Sequence, residues 1–342
     1  VTTEQKQQHY IPCCYSKFFC NSEGYLYLKD TWDGRVFPGK PQNVLKQSYL
    51  YRQPVHAEKR FDNAIENFFS RHVESRWPDL IKKISAREDL TREEWSSVIE
   101  FYLSMRVRVP NTIKSVIFLL RESVIKASNA VDQPVPDVFR DVFLKKRPGF
   151  SSKIRFGDLM RAGIIDVQID PHTAILSFEK LIRTNDAVHG INSGPQFLHN
   201  ETGVSFISSD NPSISHIFSN NIDEIRPYSF SSHQNVEFIL PLTSRIALLL
   251  HSKGTSETQH RRIFSEKTIK KINSKIYAYS DRYIFSDNPA TLYPDIPPKT
   301  LFPVPDPSTS WVADGVVNKI YYKFGPPLIV RNKWRYEFET SP

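Results

Sequence analysis

The chain has 342 residues, 39% of them hydrophobic, which is enough to bury a sizeable core in one domain or two closely packed ones. Its 45 basic against 37 acidic residues leave a formal charge of +8, an excess that favours an anionic partner such as nucleic acid but that many ordinary enzymes share. No stretch approaches the roughly 18 apolar residues that cross a bilayer, so a membrane-spanning helix is excluded.

Val1 to Gln8 is polar and glutamine-rich, unlike a signal or transit peptide, and the expected location is cytoplasmic. Aromatics make up 13% of the chain, so much of the core should be ring packing. Cys13, Cys14 and Cys20 are odd in number, and two of them are adjacent, which argues against a disulfide framework. With His9 they give an H-x3-CC-x5-C spacing that lacks the paired C-x2-C of a strong zinc site, so structural thiols are the favoured reading.

In chain order, Gly24 to Leu28 alternates around aromatics and reads as a strand, with Trp32 to Arg35 as a turn after it. From Ala57 to Ile84 the apolar residues Phe61, Ile65, Phe68, Phe69 and Val73 recur at helical spacing, and Pro78 should kink or divide that helix. Thr91 to Glu94 fits a capping box, opening a helix that buries Trp95, Val98, Ile99 and Tyr102. Pro110 ends or bends it, and Ile113 to Ile125 form another helix. Shorter helices are expected over Asp137 to Phe143, Phe156 to Ala162 and Pro171 to Leu181, the last capped by Asp170.

After residue 190, Val204 to Ser208, Val236 to Leu240 and Arg245 to His251 read as strands. Lys267 to Tyr279 returns to a helix with Ile269, Ile272 and Ile276 on one side. Asp287 to Pro307 is proline-rich and expected to wrap the surface, and Ile320 to Lys323 and Leu328 to Val330 are candidate late strands. The expected fold is a single α+β domain over residues 1–342. It has an N-terminal strand, a helical subregion over about 57–185, and a mixed β-sheet with a helix over about 200–340.

Four segments carry polar residues that core packing does not explain: Gln8 to Pro12, Glu66 to Glu74, Phe101 to Pro110 and Phe206 to Pro212. Together they resemble a large, mostly bacterial family catalogued as a domain of unknown function. Its members carry a Q-H-Y-[IV]-P opening, a helix ending in Q-x-x-R-[TS]-P and a strand ending in [TS]-S-D-N-P. The first motif is intact at Gln8 to Pro12, and the last stands at Ser208 to Pro212. Pro241-Leu242 looks like the family's short P-L element, and Asn273, Ala278, Arg282 and Tyr283 look like its late N…A…RY helix. One position departs: Met105 stands where the middle motif usually has glutamine, while Arg108 and Pro110 remain. The resemblance implies an architecture and no reaction.

The residues still permit chemistry. His9 titrates near neutrality and can act as general acid or base, and Asp210 can orient it or hold a divalent metal. Glu74, with Glu66 two turns earlier, adds carboxylates, and Arg108 can clamp a phosphate with its planar fork. Tyr10, Ser209, Asn211 and Arg282 are the candidate substrate contacts beside the catalytic set of His9, Glu74, Arg108 and Asp210. Such a set suits phosphodiester cleavage, with or without a divalent ion.

Bland readings stand beside these. S-D-N-P is also good turn chemistry, His9 can be a structural histidine, Arg108 a buried partner of Glu74, and Glu66 a solvated residue. The runs His260 to Arg262 and Lys145 to Arg147 read as solvated loops. The P-loop, the G-x-G-x-x-G and the G-x-S-x-G signatures are all missing, which disfavours nucleotide-triphosphate hydrolysis, dinucleotide redox and α/β-hydrolase chemistry. The leading expectation is a nuclease-like enzyme in bacterial stress or defence. The alternatives are a non-catalytic nucleic-acid- or protein-binding module whose polar motifs are structural, and an enzyme acting on a small anionic metabolite.

Overall fold

The computed structural model describes residues 7–48, 50, 53–54, 61–62, 64–130, 155, 158–159, 196–218, 223–225, 236–251, 259–293, 295–306, 312–313, 316–317 and 321–328. The fold is α+β. Strand β1 (Gln7–His9) leads into the short helix α1 (Cys13–Ser16), followed by the hairpin β2 (Leu26–Asp30) and β3 (Val36–Gly39). The hairpin turns through Gly34 at φ +81°, where a side chain would be strained. Strand β4 (Lys46–Ser48) pairs with β1, and β5 (Gln53–Pro54) pairs with β6 (Phe61–Asp62).

The expected helix from Ala57 begins later, because Phe61 pairs across a ladder instead; a single apolar residue fits either period. Helix α2 (Ala64–Phe68) runs into a π-helix (Phe69–Glu74), and Pro78 sits in the first turn of α3 (Trp77–Ala86), so the proline divides the segment. Helix α4 (Arg92–Val107) starts at the capping box: Thr91 Oγ1 accepts from Glu94 N, and Glu94 Oε2 accepts from Thr91 N at 2.9 Å. Pro110 opens α5 (Pro110–Ala130). The expected helices at 137–143 and 171–181 and the Lys145 to Arg147 run lie outside the described residues; of 156–162, Asp158 and Leu159 are described and are helical.

The later strands are β7 (Gln196–Asn200), β8 (Ser208–Ser209), β9 (Ile214–Phe218), β10 (Asp223–Ile225), β11 (Val236–Pro241), β12 (Ile246–His251) and β13 (His260–Ile263). Helix α6 (Glu266–Tyr279) and β14 (Tyr283–Ser286) follow. A six-stranded sheet runs β10-β9-β11-β12-β7-β13, antiparallel except for β13 beside β7. A four-stranded sheet runs β3-β2-β14-β8.

Alternation along the central strands separates two cores. Phe197, Phe238, Leu240, Ile246, Leu248 and Leu250 face the helices α3 to α5, with Trp77 stacked on Phe101 at 3.6 Å and Trp95 on Phe197 at 4.9 Å. Leu198, Ile239, Ala247 and Leu249 face α6, which contributes Ile269, Ile272 and Ile276.

Several expectations after residue 190 need correction. Of Val204 to Ser208 only Ser208 enters a ladder, in β8 beside β14, because Phe206 N and Ile207 N are bound by Ser244 O and Asn273 Oδ1 instead. Strand β7 is not announced by the sequence because all its residues are buried, so no alternation shows. Within the proline-rich stretch, Phe302–Asp306 is a strand paired with Tyr321–Gly325 rather than a surface wrap, its prolines lying in a two-stranded ladder. The His260 to Arg262 run is the edge strand β13, not a loop. Among the described residues no helix is long and apolar enough to cross a membrane.

The β7–β13 pair carries a pH liability. His199 Nε2 lies 2.9 Å from His260 Nδ1, and burial, His260 and Arg87 push the His199 imidazole down to about 4. An unfolded histidine takes its proton near 6.5, so between those values the unfolded chain binds more protons and stability falls as pH falls. Urea unfolding at pH 7 and pH 4.5 should differ by about 1–2 kcal/mol from this group after solvent screening. The His199→Gln variant should lose that difference.

Candidate functional site

Arg108 sits at the corner where α4 ends and Pro110 starts α5, and its side chain is 1% exposed. Its guanidinium lies 4.5 Å from the Phe69 ring centroid, bonds Glu74 Oε1 at 2.6 Å and donates to the His9 main-chain oxygen at 2.8 Å. Phe69 and Glu74 begin and end the π-helix, whose wider i to i+5 turn brings both to one cation. The sequence places Glu74 on a helix, but a π-turn leaves no clear signature in apolar periodicity.

Glu66 is half-buried rather than fully solvated. Its Oε2 is buried without a hydrogen-bond partner among the described residues, and burial pushes the carboxyl above its usual value, with Arg108 opposing that and Glu74 adding to it. His9, half-buried, shares the same two neighbours. Burial and then Lys46 hold its imidazole below 6.5; a backbone bond to Gln42 opposes them, Arg108 lowers it further and Glu74 raises it. Its Nε2 lies 3.4 Å from Cys13 Sγ, and the Cys13 thiol also points to Pro41 O at 3.5 Å. Burial pushes that thiol upward as well, so the contact joins a neutral thiol to a neutral imidazole rather than a thiolate to an imidazolium.

Cys13 and Lys46 are not among the expected site residues. The i, i+4 spacing of His9 and Cys13 is visible in the sequence, but there it reads only as part of a zinc pattern. Lys46 reaches the site because β4 pairs with β1 in a register that sets it opposite His9, which no local pattern announces.

Asp210 belongs to a second cluster. Buried in the S-D-N-P turn, it accepts from Asp281 N (2.8 Å), Arg282 N (2.6 Å) and Tyr283 N (2.8 Å), closing the turn between α6 and β14. Burial and the Asp281 carboxylate push Asp210 up to about 7 against the pull of those bonds. Its acceptor oxygens are thus spent on the backbone of that turn and not on the His9 imidazole.

The candidate substrate contacts are engaged internally. Ser209 Oγ accepts from Asn211 N, Asn211 Nδ2 donates to Tyr279 O, and Arg282 Nε bonds Asp30 Oδ2 at 2.8 Å. Tyr10 is 7% exposed and lies close enough to Asp210 for that carboxylate to raise its phenol beyond the effect of burial. The other motif residues are staples too. Tyr15 hydroxyl donates to Pro241 O at 2.6 Å and meets Ser208 Oγ at 2.7 Å, and Asn273 holds Ser205 O and Ile207 N.

A family model described as a protein of unknown function, DUF4238, matches residues 7–290. The chain belongs to DUF4238. That match spans the His9 segment, the Arg108 corner, the Asp210 turn and the start of β14 together. No curated protein and no solved structure matches the chain. In this DUF4238 member Met105 is fully buried in the helical core, so its departure from the motif places packing where an amide would stand.

Among the described residues no group of three His, Cys, Asp or Glu side chains is arranged to hold a metal ion.

Proposed function

We propose that this chain is a hydrolase of phosphodiester bonds in which His9 is the general base and Glu66 the general acid. The observation that carries the reading is that one ion pair, Arg108–Glu74, has two titratable neighbours displaced in opposite senses: an imidazole whose pKa burial lowers and a carboxyl whose pKa burial raises. Opposed displacement of this kind distinguishes an acid from a base within one site. His9 takes the proton of an attacking hydroxyl or water as its oxygen bonds to phosphorus, the scissile P–O bond breaks, and Glu66 gives its proton to the departing oxygen. Lys46 and Arg108 supply positive potential for the charge that builds on the phosphoryl oxygens. The net charge of +8 agrees with a polyanionic substrate.

The expected result is cleavage of short single-stranded RNA or DNA, or of a cyclic dinucleotide, by the purified protein. His9→Asn and Glu66→Gln should each lower the rate by about 10²–10⁴-fold with the urea midpoint preserved. The profile of kcat/KM should be bell-shaped. It rises as His9 loses its proton, at a pH below 6.5, and falls as Glu66 loses its own, at a pH above 4.5. No cleavage of any of the three substrates by wild type, with or without added magnesium, would end this reading. The non-catalytic alternative is favoured by one observation, the internal engagement of Asp210, Asn211 and Arg282, and it predicts that silence.

A further inference from the structure

The sheet face opposite the helical layer is incompletely roofed by α6. Between them lies a groove of about 310 Å³. Its floor is aliphatic: Leu198, Ile239, Leu249, Ile263 and Ile272 keep 4%, 5%, 5%, 8% and 7% exposure, whereas Ile207, Ile269 and Ile276 of the same cluster are at 0%. Its rim is cationic. Arg261 comes from the edge strand β13, whose Arg262 is paired instead with Glu201 at 3.6 Å, and Lys271 and Lys275 come from one face of α6 at i, i+4 spacing. Glu237, the one acid lining the groove among the described residues, faces Lys275, Arg261 and Lys271. At the mouth stands Phe264, 71% exposed.

An exposed ring beside three cations calls for a ligand that is both planar and multiply anionic. An acidic peptide would satisfy the cations and leave the ring without a stacking partner, and a duplex hides the faces of its bases. We propose that this groove binds single-stranded nucleic acid, with a base stacked on Phe264 and successive phosphates on Arg261, Lys271 and Lys275. Stacking on an aromatic within a basic groove is the usual physics of such binding, tolerant of sequence and sensitive to salt. This site goes beyond hydrolysis at His9 and does not depend on it.

Fluorescence anisotropy with a labelled oligothymidylate, at several salt concentrations, tests the assignment. Wild type should bind, and Arg261→Gln with Lys271→Gln should flatten the slope of log K against log salt by about 1.4, the release expected for two phosphate contacts on a single strand. Phe264→Ala should weaken binding roughly tenfold at an unchanged slope. All three positions are exposed, so the melting temperature should hold. His9→Asn should bind as wild type, which keeps failure of the groove distinct from failure of the catalytic reading. The proposal is overturned if these variants bind the oligonucleotide as wild type does, if a hairpin duplex binds as tightly as the single strand, or if a poly-glutamate peptide binds more tightly than the oligonucleotide.

Discussion

Asp210→Ala is expected to lower the unfolding free energy by about 3–6 kcal/mol, because each orphaned buried donor costs about 1–3 kcal/mol and alanine orphans three. The carboxylate is 3% exposed and accepts backbone N–H bonds from Asp281, Arg282 and Tyr283. The sum is not strictly additive, because one loop carries all three and can relax toward water. The turn cannot relax freely, however. Arg282 is tied to Asp30 and Lys114 to Asp281, so the loop is held from β2 and from α5.

Asp210→Asn keeps the shape and one acceptor oxygen but turns an amide NH₂ toward a backbone N–H, so an intermediate loss is expected. Urea denaturation followed by tryptophan fluorescence distinguishes the two. If instead Asp210→Ala unfolded at the wild-type midpoint and had merely lost activity, Asp210 would be a reacting group rather than the clasp described here.

That contrast also marks how far the sequence can be read. Helices α3, α4 and α6 are legible because each declares itself locally: proline in a first turn, a Thr91–Glu94 box, isoleucines at helical spacing. The capping box needs four consecutive residues and no tertiary partner. The role of Asp210 is not legible in the same way, since S-D-N-P describes a turn, while the three N–H groups it binds lie more than 70 residues later.

At the site, the bland reading of Arg108 as a buried partner of Glu74 matches their ion pair, but Glu66 reads as solvated because a helical carboxylate usually is. What buries it is the packing around the π-helix, and neither a π-turn nor a neighbour from another element leaves a mark on spacing. Lys46 is invisible for the same reason. A cross-strand register places it opposite His9, and register is a property of two strands together. Phe264 and the cationic groove are hidden when His260 to Arg262 is read as a loop.

Loss of Glu74 should be nearly as costly as loss of Asp210, and the reason bears on His9. The Arg108 guanidinium is 1% exposed, and Glu74 Oε1 is the carboxylate oxygen against it at 2.6 Å. Glu74→Ala removes the carboxylate from beside a buried cation, for which about 3–5 kcal/mol is expected; Glu74 itself is 22% exposed, which favours the lower end. Arg108→Met removes the charge and its contact with Phe69 but leaves Glu74 near water, so it should be the milder change.

The double variant should then be less destabilised than the sum of the two, by a coupling of about 1–3 kcal/mol. Arg108→Lys is not a conservative control, because a single ammonium lacks the fork that reaches Glu74 and the His9 main-chain oxygen at once. Because Arg108 also lowers the His9 pKa through its charge, Arg108→Met should move the imidazole titration upward when followed by NMR, and the acid limb of any activity should move with it. A cycle with no coupling, or an imidazole that titrates at the same pH in both proteins, would mean that the ion pair neither holds the corner together nor tunes the base beside it.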